Sequence, residues 1–477
     1  MPTRRRRARR ARRRRRGRRR RLGRSRSPDS VARPALHATI PSPQGFVVAN
    51  QEPIRVCDAK ACSDCRGGRA VPDIVAFRGL RYRSAERLDA LCAPPYDVID
   101  PDERAALYAR SPHNSARLIL PEGDDPYAQA ATDLVTWERA GVLVRDETPR
   151  FYAYRMEYVD EDGRPRHTAG FLGALVLPEA AGAGDVLPHE RTLPKAKSDR
   201  LSLLRATRAN LDPIWGLTPS SGLSAELEGA SPLGICTDDH GVRHSIGAID
   251  SVASIAAIRA VVAGAPLVLA DGHHRFETAI AYRDERRAAG LVADGDGAVM
   301  CLVVELADAE LWVQPIHRLY TGGPATGPLR ERLAGAFGVF DAGPNTAEGV
   351  AALERAVRAE GGVGLVDREG LARLVPAAPA LAAARAALEP TLVDVASAWF
   401  DELAADTFAG AEATYRNDAT TVAALVGKGA ADAAVLLPPV TVGQIRAAAL
   451  AGVRMPQKTT FFAPKPRTGM VFRMLDG

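Results

Sequence analysis

The chain has 477 residues, 46% of them hydrophobic and 25% charged, a length that exceeds one ordinary core and points to two or three domains. Its formal net charge of +6 comes from one end: residues 1 to 26 hold 17 arginines and no acid, leaving 46 basic against 57 acidic residues in the rest. No charge-free apolar run of about 18 residues occurs, which argues against a membrane span, and no apolar stretch follows the arginine block to make a secretory signal.

Residues 1 to 70 are rich in Arg, Pro, Ser and Ala and lack periodicity. They are expected to be a disordered Arg-rich extension, with nucleic acid or an acidic surface as the partner such a block would suit. Patterned sequence begins at V-P-D-I-V-A-F, so Val71 is expected to be the genuine start and the upstream stretch an artefact of the gene model. Cys62 and Cys65 form one C-x-x-C without a second pair, and Cys92, Cys236 and Cys301 are scattered. That usage predicts reduced thiols and a cytoplasmic protein.

Ile74 to Phe77 reads as a short strand. In Ala93-Pro94-Pro95-Tyr96-Asp97 two prolines fix an extended, rigid loop on which Tyr96 and Asp97 could face a ligand, although a structural turn is the commoner use. Asn114 to Pro121 reads as a strand carrying Arg117. Pro126 to Ala140 has helical spacing and ends at Gly141. Phe151 to Val159 and His167 to Leu177 read as strand, turn and strand.

Leu187 to Ile214 is dense in polar groups. His189, Glu190, Arg191, Thr192, Lys195 and Lys197 precede a helix that is expected to start at Ser198, to turn Leu201, Leu204 and Leu203 inward, and to project Arg200, Arg205 and Arg208 elsewhere. Glu190 among cations would stay ionised, which suits binding a substrate hydroxyl or a metal better than acid catalysis. A solvated charged loop is the alternative.

Leu267 to Ala270 reads as a strand buried on both faces, and Phe276, Ala279 and Ile280 recur at helical spacing. Between them D-G-H-H-R makes a turn at a helix N-terminus, with Asp271 as the expected N-cap. Such a terminus favours an anion such as a nucleotide phosphate. Gly272 would admit it closely, Arg275 would add a two-pronged contact, and His273 or His274 a hydrogen bond; Asp271 could instead hold magnesium. A plain capped turn is the bland reading.

Leu302 to Leu306 and Leu311 to Pro315 read as strands. After a Gly-rich linker, Arg330 to Phe337 and Ala347 to Ala359 read as helices, the latter capped by Thr346. Val363 to Val366 and Leu371 to Val375 read as a hairpin, Ala380 to Ala405 as helical apart from Pro390, and Val442 to Leu450 as a helix. In the last block, M-P-Q-K-T-T-F-F-A-P-K, Phe461 and Phe462 suit a strand, while Lys458, Thr459 and Lys465 could reach phosphate or simply face solvent.

Taken together, A-P-P-Y-D-V-I, N-x-x-R-L, H-E-x-T-x-P-x-x-K-x-D-R-L-x-L-L, A-D-G-H-H-R-x-E-T-A and M-P-Q-K-T-T-F-F-x-P-K resemble a bacterial and archaeal family often labelled ParB-like or SpoOJ-like. The match spans residues 71 to 477. D-G-H-H-R in turn resembles the phosphate-binding motif of the ParB and sulfiredoxin superfamily, which includes free serine kinase.

That resemblance implies an α+β fold: an N-terminal α+β region over 71–180, a ParB/sulfiredoxin-like mixed α/β nucleotide-binding core over 181–321, and a C-terminal α/β domain over 328–477. It implies a nucleotide-dependent phosphotransferase using ADP or ATP with Mg2+ on a small hydroxylated metabolite, free serine being the natural guess. Asp271, Gly272, His273, His274 and Arg275 would hold phosphates, with Lys195 and Arg200 as further anion-binding candidates. Glu190 would activate the hydroxyl, with Asp271 the other catalytic and metal candidate. Asp97, Arg117, Lys458 and Thr459 are additional candidates.

The alternative is a ParB-like regulatory or DNA-partitioning protein that binds nucleotide without metabolite turnover. A DNA reader should carry a basic helix-turn-helix after the phosphate motif. None is legible, and residues 321 to 477 hold 15 basic against 16 acidic residues. Nucleic acid is therefore not an expected partner beyond the arginine tail.

Overall fold

Central strands that are apolar on every residue need cover on both faces, and the three most central to the site receive it. Leu267–Asp271, Ile214–Thr218 and Ala298–Glu305 lie side by side in a nine-stranded sheet. Alternation along them divides two cores. Val268 and Ala270 join Trp215, Met300 and Leu302 on one face. Leu267 and Leu269 join Cys301 and Val303 on the other, against Phe276, Ala279 and Ile280 of the following helix.

In this computed structural model, residues 71–476 are described, except 162, 181–183, 189–196, 292, 308 and 324–327. The protein is mixed α+β. The sheet runs Val186–Pro188, Leu267–Asp271, Ile214–Thr218, Ala298–Glu305, Pro165–Val176, Phe151–Val159, Arg243–Ile249, Ser231–Thr237, with Ile74–Val75 as the ninth strand, paired with the end of Pro165–Val176 off this path. It thus crosses the boundary expected near residue 180: Gly170–Val176 pairs antiparallel with Ala298–Val304.

A six-stranded antiparallel sheet follows, built from His317–Thr321, Phe337–Gly343, Val363–Asp367, Gly370–Pro376, Glu412–Arg416 and Ala433–Leu436. The chain then returns. Phe461–Ala463 pairs with Trp312–Gln314, and Phe472–Met474 enters a small sheet with Gly79–Tyr82, Leu143–Arg145 and Ala209–Asn210. This return carries the C-terminal lysine block to the large sheet.

Several expected elements differ. Asn114 to Pro121 is no strand: the Asn114 side chain accepts the Ala116 N–H at 2.9 Å and starts a short helix, Ala116–Ile119. Arg330 to Phe337 is helical only over Leu329–Leu333, after which Phe337 opens a strand. The alanine-rich stretch divides into Ala378–Ala387 and Ala396–Ala404. Thr346 does cap Ala347–Glu360, accepting the Gly349 N–H.

Candidate functional site

Strand Leu267–Asp271 ends in a carboxylate, and helix His273–Ala288 begins two residues later. Gly272 makes that turn with φ +82°, a left-handed conformation that side chains resist. A Cβ there would lie 3.0 Å from Ile214 Cγ2 and 3.1 Å from the Arg275 guanidinium. Gly272, not Asp271, is therefore the N-cap, and no side chain caps the helix. Because the chain turns left-handed one residue later, Asp271 is still in the strand and its carboxylate is turned to cations instead.

Arg275 donates from Nη2 to Asp271 Oδ2 at 3.0 Å and from Nη1 to the Pro213 carbonyl at 2.6 Å. Lys465 Nζ lies 3.0 Å from Asp271 Oδ1. Burial works against ionisation of Asp271, but Lys465 and Arg275 overcome it and hold the carboxyl well below its usual range. Each of its oxygens thus carries a cation. Among the described residues no group of three His, Cys, Asp or Glu side chains is placed to hold a metal.

Tyr96, on the double-proline loop, underlies two guanidiniums: Arg200 lies 4.2 Å and Arg275 6.0 Å from its ring centre. Arg200 belongs to helix Lys197–Thr207; its Nη1 donates to the Ile119 carbonyl at 2.8 Å and its Nε to Asp199 at 2.7 Å. Asp97 is exposed on the same loop and adds negative charge felt by Arg275.

Asp212 completes the cluster and has no counterpart among the sequence candidates. It is 8% exposed and accepts a hydrogen bond from the Thr468 hydroxyl. Burial pushes its carboxyl up to about 6, against the pull of Arg275 and Arg200 and with the push of Asp97 and Asp271. A cavity of about 50 Å³ beside it is lined by Arg200, Asp212, Arg275 and Thr278. Arg275 Nε and Thr278 Oγ1 are buried there with no protein partner among the described residues. In the sequence, only a lone acid directly before Pro213 and a buried strand marked this position.

The remaining candidates are distributed as follows. His273 is buried and His274 half-buried at the helix start. Arg117 serves the fold: its Nη2 donates to the Tyr108 carbonyl at 3.0 Å and the guanidinium covers the Tyr108 ring at 4.2 Å. Thr459 turns inward, its hydroxyl donating to the Pro456 carbonyl at 2.7 Å, while Lys458 is exposed. Of the terminal block it is Lys465 that reaches Asp271. Glu190 and Lys195 lie outside the described residues.

Fold and site together define a mixed α+β protein whose strand–glycine–helix turn is flanked by two cationic side chains, Arg275 and Lys465, a setting for an anionic ligand. The chain belongs to the family described as "Protein of unknown function (DUF1015)", matched over residues 74–395. None of the curated proteins matches it. Among solved structures it is similar to free serine kinase in complex with AMP, at 15% identity and TM-score 0.33, over 61% of this chain and 88% of that one. A conserved hypothetical protein from Pyrococcus furiosus gives 14% and 0.31, over 61% and 93%. SbnI from Staphylococcus aureus, truncated at its C-terminus, gives 12% and 0.29, over 60% and 82%. Likeness at this level carries no functional argument.

Proposed function

We propose that this protein is a cytoplasmic, nucleotide-dependent phosphotransferase acting on a small hydroxylated metabolite. The observation that carries the reading is the convergence of Arg275 and Lys465 on the turn formed by Asp271 and Gly272, with Arg200 stacked beside Arg275 on the Tyr96 ring. Phosphates of ADP or ATP would sit at the helix N-terminus, where the glycine allows close approach and the dipole favours negative charge. Lys465 and Arg275 would exchange part of their hold on Asp271 for phosphate oxygens.

Magnesium would arrive with the nucleotide, on phosphate oxygens and water, as it does where few protein ligands converge. Phosphoryl transfer asks mainly for positioning and charge neutralisation, both of which this cluster supplies. Free serine is the first acceptor to try, on the strength of the D-G-H-H-R motif. The test is magnesium-dependent consumption of ADP or ATP by the full chain, with and without hydroxylated metabolites. Nucleotide bound but never consumed would favour the ParB-like regulatory alternative.

A further inference from the structure

The cluster contains two carboxylates in opposite electrostatic states, Asp212 buried and Asp271 half-buried. Asp271 has a cation on each oxygen, so it stays ionised and is a poor proton acceptor. Among the described residues Asp212 makes no ion pair of that kind, and its side chain accepts from the Thr468 hydroxyl. Groups of one type whose environments separate them in this way divide structural from acid–base duties.

We propose that Asp212 is the proton acceptor for the incoming hydroxyl, and that the cavity it shares with Arg200, Arg275 and Thr278 receives the reacting end of a small primary alcohol. The inference rests on the phosphotransfer reading and deepens it. The cavity, about 50 Å³, has the room of one or two water molecules, enough for a hydroxyl-bearing carbon and too little for a nucleotide. Two residues of its lining bring buried polar atoms, Arg275 Nε and Thr278 Oγ1, that have no hydrogen-bond partner among the described residues.

In the step itself, the alcohol oxygen forms a bond to phosphorus while the bond from that phosphorus to the nucleotide oxygen breaks. The nucleotide leaves with the bonding pair. The hydroxyl proton passes to the Asp212 carboxylate and from there to water. Arg200 and Arg275 from the two helices, Asp97 and Tyr96 from the loop and Asp271 from the strand are the charged and titratable groups around Asp212. Burial raises the Asp212 carboxyl to about 6, with Arg275 and Arg200 opposing the rise and Asp97 and Asp271 adding to it, close enough to neutrality for reversible protonation.

The experiment compares the full chain with Asp212→Asn and Asp212→Glu. Binding of ADP and ATP with Mg2+ is measured by calorimetry, and phosphoryl transfer is measured to L-serine and to glycerol as probe alcohols. Asp212→Asn is expected to bind nucleotide like the parent while transfer falls by about 10²- to 10⁴-fold. The acid limb of the parent's rate profile, near pH 6, is expected to vanish. Asp212→Glu should recover part of the rate. Transfer by Asp212→Asn at the parent's rate, or with the acid limb intact, would overturn the role of Asp212 and leave the phosphotransfer reading standing. A parent that binds nucleotide but transfers to neither alcohol would overturn both, and a parent that binds none would remove the nucleotide reading itself.

Discussion

Lys465, from the last segment of the chain, and Asp271, at the end of a central strand, meet in a 3.0 Å ion pair. The geometry depends on how the segment is tied down. Thr468 exchanges two backbone hydrogen bonds with Ala93, and the Arg467 N–H donates to Tyr154 Oη at 2.9 Å. The same segment therefore anchors the Tyr96 loop, delivers Lys465 and supplies the Thr468 hydroxyl to Asp212.

Lys465→Ala should weaken ADP binding about 10- to 100-fold, the worth of a charge-assisted contact of roughly 1.5–3 kcal/mol. Arg275 still pairs with Asp271, so the melting temperature should change little. Calorimetry and a thermal melt check both halves, and undiminished affinity would remove Lys465 from the phosphate site.

At Gly272 a side chain must adopt φ +82° and crowd Ile214 and Arg275. Gly272→Ala is expected to cost about 1–2 kcal/mol in denaturant unfolding and to displace the Arg275 guanidinium, lowering nucleotide affinity with it. An alanine variant with parental stability and affinity would contradict the turn's proposed role.

Asp212 offers a stability signature independent of turnover. Its folded carboxyl, at about 6, lies above the ordinary 3.8, so its contribution is most favourable below pH 4 and is lost as pH rises through about 6. Asp212→Asn should consequently be more stable than the parent by about 1–3 kcal/mol at pH 8, and the gain should disappear below about pH 4. Unfolding curves at the two pH values decide it; an Asn variant less stable at pH 8 would mean that the carboxylate is compensated after all.

Tyr154 Oη accepts the Arg467 N–H and lies 2.9 Å from His244 Nδ1, whose Nε2 is 3.3 Å from Asp238. Burial lowers the His244 pKa against the pull of Asp238. Tyr154→Phe leaves a buried backbone N–H and a ring nitrogen unpaired, an expected loss of about 1–3 kcal/mol. Because the lost bond positions the Lys465 segment, ADP affinity should fall too, and not additively with Lys465→Ala. Additive effects in that double-mutant cycle would separate Tyr154 from the site.

Much of the site was legible because its chemistry is local. The apolar run before Asp271, the glycine and the helical spacing after it specify strand, turn and helix from neighbouring residues alone. The sequence points to Asp271 as the N-cap because Asp is an ordinary capping residue, whereas the left-handed turn at Gly272 hands the cap to glycine. Asp212 was illegible since its meaning comes from Thr468, Arg200 and Arg275, residues gathered by the fold. For the same reason nothing in the sequence around Arg117, an additional candidate, shows that its guanidinium is held by the Tyr108 carbonyl and ring. The hairpin Ser231–Thr237 and Arg243–Ile249 carried too little apolar alternation on its outer strand to stand out.

The most direct measurement is a calorimetric titration of the full chain with ADP and ATP in the presence of Mg2+, beside the same titration of Arg275→Ala. Binding by the parent and its loss in a variant that still melts cooperatively are the predicted results. A folded parent that binds neither nucleotide, or an Arg275→Ala variant that binds as the parent does, would contradict a phosphate site at this turn.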